Sequence, residues 1–418
     1  MRSVAFVLFS ALALAQTPEQ IRLSQQGKQL MGAGRFNEAV PVYEQLVKSA
    51  PGNPGLKLNL GIALHMAKRD AEAVAQLEPV TKELPSAFPA WALLGASYMR
   101  LGQPARAVAP LERAVQMNPN DPQGRRILAD ALLMLERYSA ALAHLEQLTQ
   151  MTPREPAVWF GLVRVYEELS RQRFEHLRKT APESAPMLYL LAETRQKQGR
   201  RAAATALFEQ ARKLSPKPPV CPAPNSPYCN IQRYDAQARA ALTKLAELGD
   251  SVEWRQSKAE LLRGQNKHPE AIAEWRAALK MAPGRPDLEQ QLASSLYSAQ
   301  RYEEAESLLR KLLNRDPGNA ELHYLLGDSL LQRGNTAEAL VSLRRAHKLA
   351  PVVVPIRATL GRALAAEGKM AEAIPHLEAA APYDEDGALH FQLSRAYTSA
   401  GQPARAAAAA KKSQELRQ

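Results

Sequence analysis

Apolar positions in this chain fall at the spacing of helix faces, and the faces themselves recur at one period. Leu94 and Tyr98 stand four apart on one face, and Gly95 beside them has no side chain, so a second helix can come close there. Gly27, Gly61, Gly327 and Gly361 fill the same slot, with Ala129, Ala192, Ala259, Ala293 and Ser394 standing in elsewhere. A ladder of alanines runs in phase with it: Ala39, Ala73, Ala107, Ala141, Ala204, Ala271, Ala305, Ala339, Ala373 and Ala406. Within each cluster its step is 34 residues, closing with 33, and Pro51, Pro85, Pro119, Pro153, Pro283, Pro317 and Pro351 keep the same step twelve positions behind. Two residue types locked in phase mark a repeat array. Gly34, Gly102, Gly199, Gly334, Gly368 and Gly401 follow the small slot by seven residues, where a left-handed cap ends a helix. The prolines end a second helix by biasing the preceding residue out of helical geometry. Each unit is therefore predicted as helix, glycine turn, helix, proline break, beginning near Gln20, Pro54, Phe88, Pro122, Pro156, Ala185, Val252, Pro286, Ala320, Val354 and Gly387.

The period breaks twice. From Pro153 to Pro182 is 29 residues, and Leu169 to Lys179 lacks the ladder alanine, so the fifth unit is expected to have a shortened second helix. The second break is the stretch Lys217 to Gln232, which holds five prolines and is followed by a helical stretch from Arg233 to Leu248. Proline at that density cannot continue a helix. The predicted organisation is residues 1–15 as a signal peptide, an N-terminal array over 16–216, a proline-rich loop over 217–232 and a C-terminal array over 233–418.

The unit around Trp91, Leu94, Gly95 and Tyr98, continued by Ala107, Leu111, Ala114 and Pro119, resembles the tetratricopeptide repeat. Trp159, Leu162 and Tyr166 repeat the first half of that pattern, and Ala204, Phe208, Ala211 and Pro216 the second. The resemblance implies an all-α, right-handed superhelical solenoid whose first helices line a concave groove. It places the second, fifth, ninth, twelfth and thirteenth residues of each unit there. In the N-terminal array these are Ile62, His65, Met66, Ala96, Met99, Arg100, Arg126, Asp130, Leu133, Met134, Phe160 and Arg164. In the C-terminal array they are Gln256, Glu260, Gln290, Ser294, Tyr324, Asp328, Arg362, Phe391 and Arg395, a more polar set. Met66, Met99, Met134 and Phe160 are expected to form a continuous apolar strip, flanked by Arg100, Arg126 and Arg164. Flexible methionine surfaces suit variable peptide partners.

Both cysteines, Cys221 and Cys229, sit eight apart in the proline-rich stretch, and a disulfide is expected, with two free thiols as the alternative. Arg2, the apolar run Val4 to Ala15 and the small residues Ala13 and Ala15 before Gln16 make a signal-peptide pattern too short to span a bilayer. A mature chain from about Gln16, exported to a periplasm or secreted, is expected; a retained anchor is the alternative. The formal net charge is +12, or +11 without residues 1–15. Anionic cell-envelope polymer such as polysaccharide is therefore a second candidate ligand beside protein or peptide. Lysine and arginine are not interleaved with stacking aromatics, which argues against nucleic acid. No catalytic, cofactor or metal-ligating motif is present, so the reading is a non-catalytic binding scaffold without cofactor or metal.

Overall fold

The computed structural model describes residues 17–218, 220–221 and 226–417; the expected signal peptide lies outside the described residues. Among the described residues are twenty-two α-helices, one short 3₁₀ turn and no strand. The chain divides into two compact units, Met1–Leu248 and Gly249–Gln418. The first holds four regular helix pairs, α1 (Pro18–Gly32) with α2 (Phe36–Ser49), α3 (Pro54–Met66) with α4 (Asp70–Glu83), α5 (Phe88–Arg100) with α6 (Pro104–Met117), and α7 (Pro122–Met134) with α8 (Tyr138–Met151). A long α9 (Pro156–Thr180) follows, then the pair α10 (Ala185–Lys197) and α11 (Arg201–Leu214), then α12 (Pro227–Glu247). The second unit is five pairs: α13 (Val252–Gly264) with α14 (His268–Met281), α15 (Pro286–Ser298) with α16 (Tyr302–Arg315), α17 (Ala320–Gln332) with α18 (Thr336–Leu349), α19 (Val354–Ala366) with α20 (Met370–Ala380), and α21 (Ala388–Ser399) with α22 (Pro403–Arg417). Nine of the eleven expected unit starts fall on the first residue of a helix, and Gln20 and Gly387 fall within two residues of one.

The small slot works as its spacing implies. A Cβ added to Gly95 would lie 2.4 Å from Leu111 Cγ, one on Gly327 2.6 Å from Leu343 Cγ, and one on Gly361 2.7 Å from Leu377 Cγ. Glycine thus lets the second helix seat its leucine against the backbone of the first. The ladder alanines Ala39, Ala73, Ala107, Ala141, Ala271, Ala305, Ala339 and Ala373 are wholly buried.

The turn slot carries a cost in four units. Gly34, Gly102, Gly199, Gly334, Gly368 and Gly401 have φ between 68° and 82°, and Lys68, Glu136, Asn266 and Gln300 adopt φ of 57° to 63° at the same place. A side chain there crowds the backbone, which glycine avoids. Lys68→Gly, Glu136→Gly and Gln300→Gly are each expected to raise stability by a few tenths to about 1 kcal/mol in denaturant unfolding, because relief of strain outweighs the added chain entropy. Loss of stability in all three would contradict this account of the turn.

The fourth position of a unit ties successive units together. Trp91 and Trp159 donate their indole N–H to the carbonyls of Pro85 (3.0 Å) and Pro153 (2.8 Å). Arg125 does the same to Pro119 (2.7 Å) and Arg357 to Pro351 (2.8 Å), and His323 Nε2 lies 3.2 Å from the Pro317 carbonyl. Each bond closes the proline break against the helix that follows it.

The fifth unit differs from expectation. It has no separate second helix, shortened or otherwise: α9 runs unbroken for 25 residues. Its side partner is α12, where Ala238 and Ala241 join the same core as Leu162, Val165 and Leu169. Tyr234 stacks on Tyr166 at 6.3 Å, and Ser170 donates to Asp235 at 2.5 Å. Val163 occupies the slot that is small in the other units, since no second helix of its own folds back there. The α10–α11 pair is inserted between α9 and α12 and packs through Leu177, Met187, Leu190, Ala211, Tyr228 and Ile231. The expected start of a C-terminal array at residue 233 is corrected accordingly, since α12 belongs to the first unit. The proline-rich stretch is also shorter as a loop, because Pro227 opens α12, a position where proline's missing N–H is not needed. Cys221 and Cys229 are bonded, Cα atoms 5.5 Å apart, with Cys229 in the first turn of α12.

Candidate partner-binding face

In each unit, first helices of successive pairs pack on one another as well as on their own partners: α3 on α5 and α5 on α7, then α15 on α17, α17 on α19 and α19 on α21. The tetratricopeptide resemblance assigns such first helices to an inner face, and the candidate residues lie on them.

On α3 and α5, Ile62 is buried, and Met66 and Met99 are partly buried against the core. The polar residues between them form a closed network. Arg100 Nε donates to Asp70 Oδ1 (2.9 Å), its Nη2 donates to the His65 carbonyl, and His65 Nδ1 lies 2.8 Å from Ser97 Oγ and 3.3 Å from Asp70 Oδ1. Burial foremost, and then the Arg100 charge, push the His65 pKa down to about 4. The histidine is thus neutral in the folded protein at pH values where the unfolded chain has begun to protonate. Its contribution is complete above pH ~6.5 and is lost as pH falls toward 4, on the order of 2 kcal/mol by pH 5. Thermal melts of wild type and His65→Gln should converge as pH is lowered from 7 to 5; a constant difference would show that His65 does not titrate as described.

On α7, Arg126 lies 3.5 Å from Glu155 and 4.0 Å from Asp130. Burial raises the Asp130 pKa, against the lowering effect of Arg126. Met134 is 59% exposed. On α9, Phe160 is half-buried and the Arg164 guanidinium stands 5.9 Å from its ring centre. The expected four-residue strip is therefore uneven: Met66 and Met99 are drawn into core packing, while Met134 and Phe160 offer apolar surface. In the second unit the buried Asp328 accepts from the Tyr297 hydroxyl, Gln332 Nε2 (3.3 Å) and Arg362 Nη2 (3.1 Å). Burial, followed by the Asp328 hydrogen bond, raises the Tyr297 pKa. Tyr324 is half-buried, Arg395 is exposed, and Phe391, 43% exposed, has Arg417 at 5.3 Å from its ring centre. Gln290 donates to Glu321 (3.2 Å), and Gln256 is buried.

Models described as tetratricopeptide repeat match residues 30–98, 92–156, 128–172, 186–210 and 291–352. The chain belongs to the tetratricopeptide repeat family. No curated protein matches it by sequence. Solved structures similar to this tetratricopeptide protein include MamA from Desulfovibrio magneticus RS-1, residues 41 to the end, at 21% identity over 40% of this chain and 96% of that one (TM-score 0.37). A second MamA structure matches at 22% identity over 38% and 93% (TM-score 0.34). YrrB, described as a TPR protein with an unusual peptide-binding site, matches at 24% over 42% and 92% (TM-score 0.35). At these values the likeness extends to the fold alone.

Among the described residues of this tetratricopeptide protein, no group of three His, Cys, Asp or Glu side chains is placed to hold a metal ion, and no helix is long and apolar enough to cross a membrane. The position rule of the repeat did not mark Asp70, Ser97, Glu155 or Tyr297, which come from neighbouring elements to satisfy the inner-face arginines and carboxylates. Their only sequence signal is chemical type, without a spacing to single them out.

Proposed function

We propose that the protein is an exported, non-catalytic scaffold that binds an extended or helical segment of a protein partner on the inner face of its first unit. What supports this most is Met134, 59% exposed on α7, together with half-buried Phe160 on the next first helix, α9, where the Arg164 guanidinium stands 5.9 Å from the Phe160 ring centre. Exposed apolar area between charged residues is the usual anchor for a peptide side chain. Arg164 supplies a cation for an acidic residue beside that anchor. The polar inner face of the second unit, around Tyr324, Asp328, Arg362, Phe391 and Arg395, would serve as a second and more selective surface.

An anionic polymer in the groove is the weaker reading. Arg100, Arg126 and Arg362 each already face a carboxylate, from Asp70, Glu155 and Asp328. A ligand held by apolar contacts keeps its affinity within a few-fold between 50 and 300 mM salt, whereas a polyanion held by several cations loses orders of magnitude. Affinity for the purified partner segment, measured by calorimetry across that range, is expected to follow the first course; a steep loss would favour the polyanion.

A further inference from the structure

Residues 171–217 hold eleven lysines and arginines against four glutamates, so seven of the twelve net positive charges lie in 47 residues. They comprise the far end of α9, the inserted α10–α11 pair and the start of the loop that follows it. Two of the four carboxylates are engaged locally. Glu175 pairs with Arg178 at 2.7 Å, and Glu193 accepts from the Tyr228 hydroxyl (2.9 Å) and Gln232 (2.7 Å).

The chain reverses between α10 and α11, so the end of α11 returns toward the start of α10, where the Tyr189 hydroxyl donates to the Ser215 carbonyl at 2.8 Å. Arg212 and Lys213 lie in the last turn of α11, and Lys217 follows in the loop. Two aliphatic side chains of the same stretch are exposed, Leu214 at 61% and Val220 at 83%. Val220 precedes Cys221, whose bond to Cys229 ties this stretch to the first turn of α12.

Basic residues at a helix C-terminus complement its dipole. That accounts for Arg212 and Lys213, but not for Lys217 beyond the helix or for exposed Leu214 and Val220 on either side of Lys217 in the sequence. A sugar polymer would be met by exposed rings, yet Tyr189 and Phe208 of this pair turn toward each other at 6.2 Å. Exposed aliphatics interspersed with exposed cations along one short stretch match a bilayer surface, where phosphates take the charges and the acyl boundary takes the side chains. We propose that this end of the inserted pair docks the protein on a membrane surface rich in anionic phospholipid. Arg212, Lys213 and Lys217 meet headgroup phosphates, Leu214 and Val220 enter the acyl boundary, and the disulfide holds Val220 in place. This surface is separate from the inner face and does not depend on its reading.

The test is sedimentation of the purified chain with vesicles of phosphatidylglycerol and phosphatidylcholine, and with vesicles of phosphatidylcholine alone. Binding is expected to the anionic vesicles only and to fall with added salt. Arg212→Glu with Lys213→Glu and Lys217→Glu is expected to weaken it at least a hundredfold, each cation being worth about fivefold and each reversal adding repulsion. Leu214→Ser with Val220→Ser is expected to weaken it about tenfold with the melting curve unchanged. Met134→Asp with Phe160→Asp is expected to leave vesicle binding intact, which keeps failure here distinct from failure of the inner-face proposal. Equal binding to both vesicle types, binding to neither, or wild-type binding by the folded charge-reversed chain would each overturn the proposal. So would retention on an acidic polysaccharide or acidic protein under conditions where the vesicles are ignored.

Discussion

Leucine in place of Ala107 or Ala339 is expected to lower the stability of the unit carrying it by ~1 to 3 kcal/mol. Both alanines are wholly buried, and their carbonyls mark where two helix backbones meet: a Cβ on Gly95 would lie 3.3 Å from the Ala107 carbonyl oxygen, and one on Gly327 3.2 Å from that of Ala339. Three added carbons have no space to enter, so the pair must part, and parting also unseats Leu111 or Leu343 from the glycine. Gly327→Val should act in the same direction, since its Cβ would fall 2.6 Å from Leu343 Cγ. Repeat arrays sum the stabilities of their units and nearest-neighbour interfaces. Ala107→Leu and Ala339→Leu, in different units, should therefore be nearly additive, while Gly327→Val with Ala339→Leu should cost less than the sum of the two. Urea unfolding of the single and paired variants reads both effects. Unchanged unfolding in Ala107→Leu and Ala339→Leu would mean that the alanine ladder does not report close packing.

The second large effect concerns the partner. Met134→Asp together with Phe160→Asp is expected to weaken binding of the partner segment at least a hundredfold and to leave the melting temperature within a few degrees of wild type. Burying one such side chain against a ligand is worth about 1.5 to 3 kcal/mol, and a carboxylate in its place adds the cost of an unpaired charge. Met134 is 59% exposed and Phe160 half-buried, so neither holds the core together. Met99 would be a poor choice, because it packs against the core and its replacement would confuse binding with folding. Ala109→Asp with Ala143→Asp, exposed positions on the second helices α6 and α8, should leave binding unchanged. Equal losses in the two double variants would place the contact elsewhere.

The fold was legible because its period is written in residues whose size matters. Glycine, alanine and proline each have one physical function per unit, and their phase located nearly every helix start. Closure of the fifth unit was not legible, because α12 arrives from beyond an inserted helix pair and nothing local names a partner that distant. Val163 was the one local sign, a branched residue in a slot that is glycine, alanine or serine in the other units. The fourth position was hidden for a different reason. Trp91, Arg125, Trp159, His323 and Arg357 share no hydropathy, only a side-chain N–H that reaches the preceding proline carbonyl. For the proposed inner face, the repeat rule names positions on the first helices without fixing their exposure. Met66 and Met99 go to the core, and Arg100, Arg126 and Arg362 are engaged by Asp70, Glu155 and Asp328, whose pairing depends on how neighbouring helices pack.

A polypeptide on the inner face of the first unit should be open to direct capture. A photo-crosslinking amino acid at Phe160, compared with one at Ala143 on the outer side, tests it in cells that make the protein. Protease-sensitive adducts of discrete mass are expected from position 160 and none from 143. Adducts from position 143 alone, or adducts from 160 that resist protease and yield to glycosidase, would contradict it.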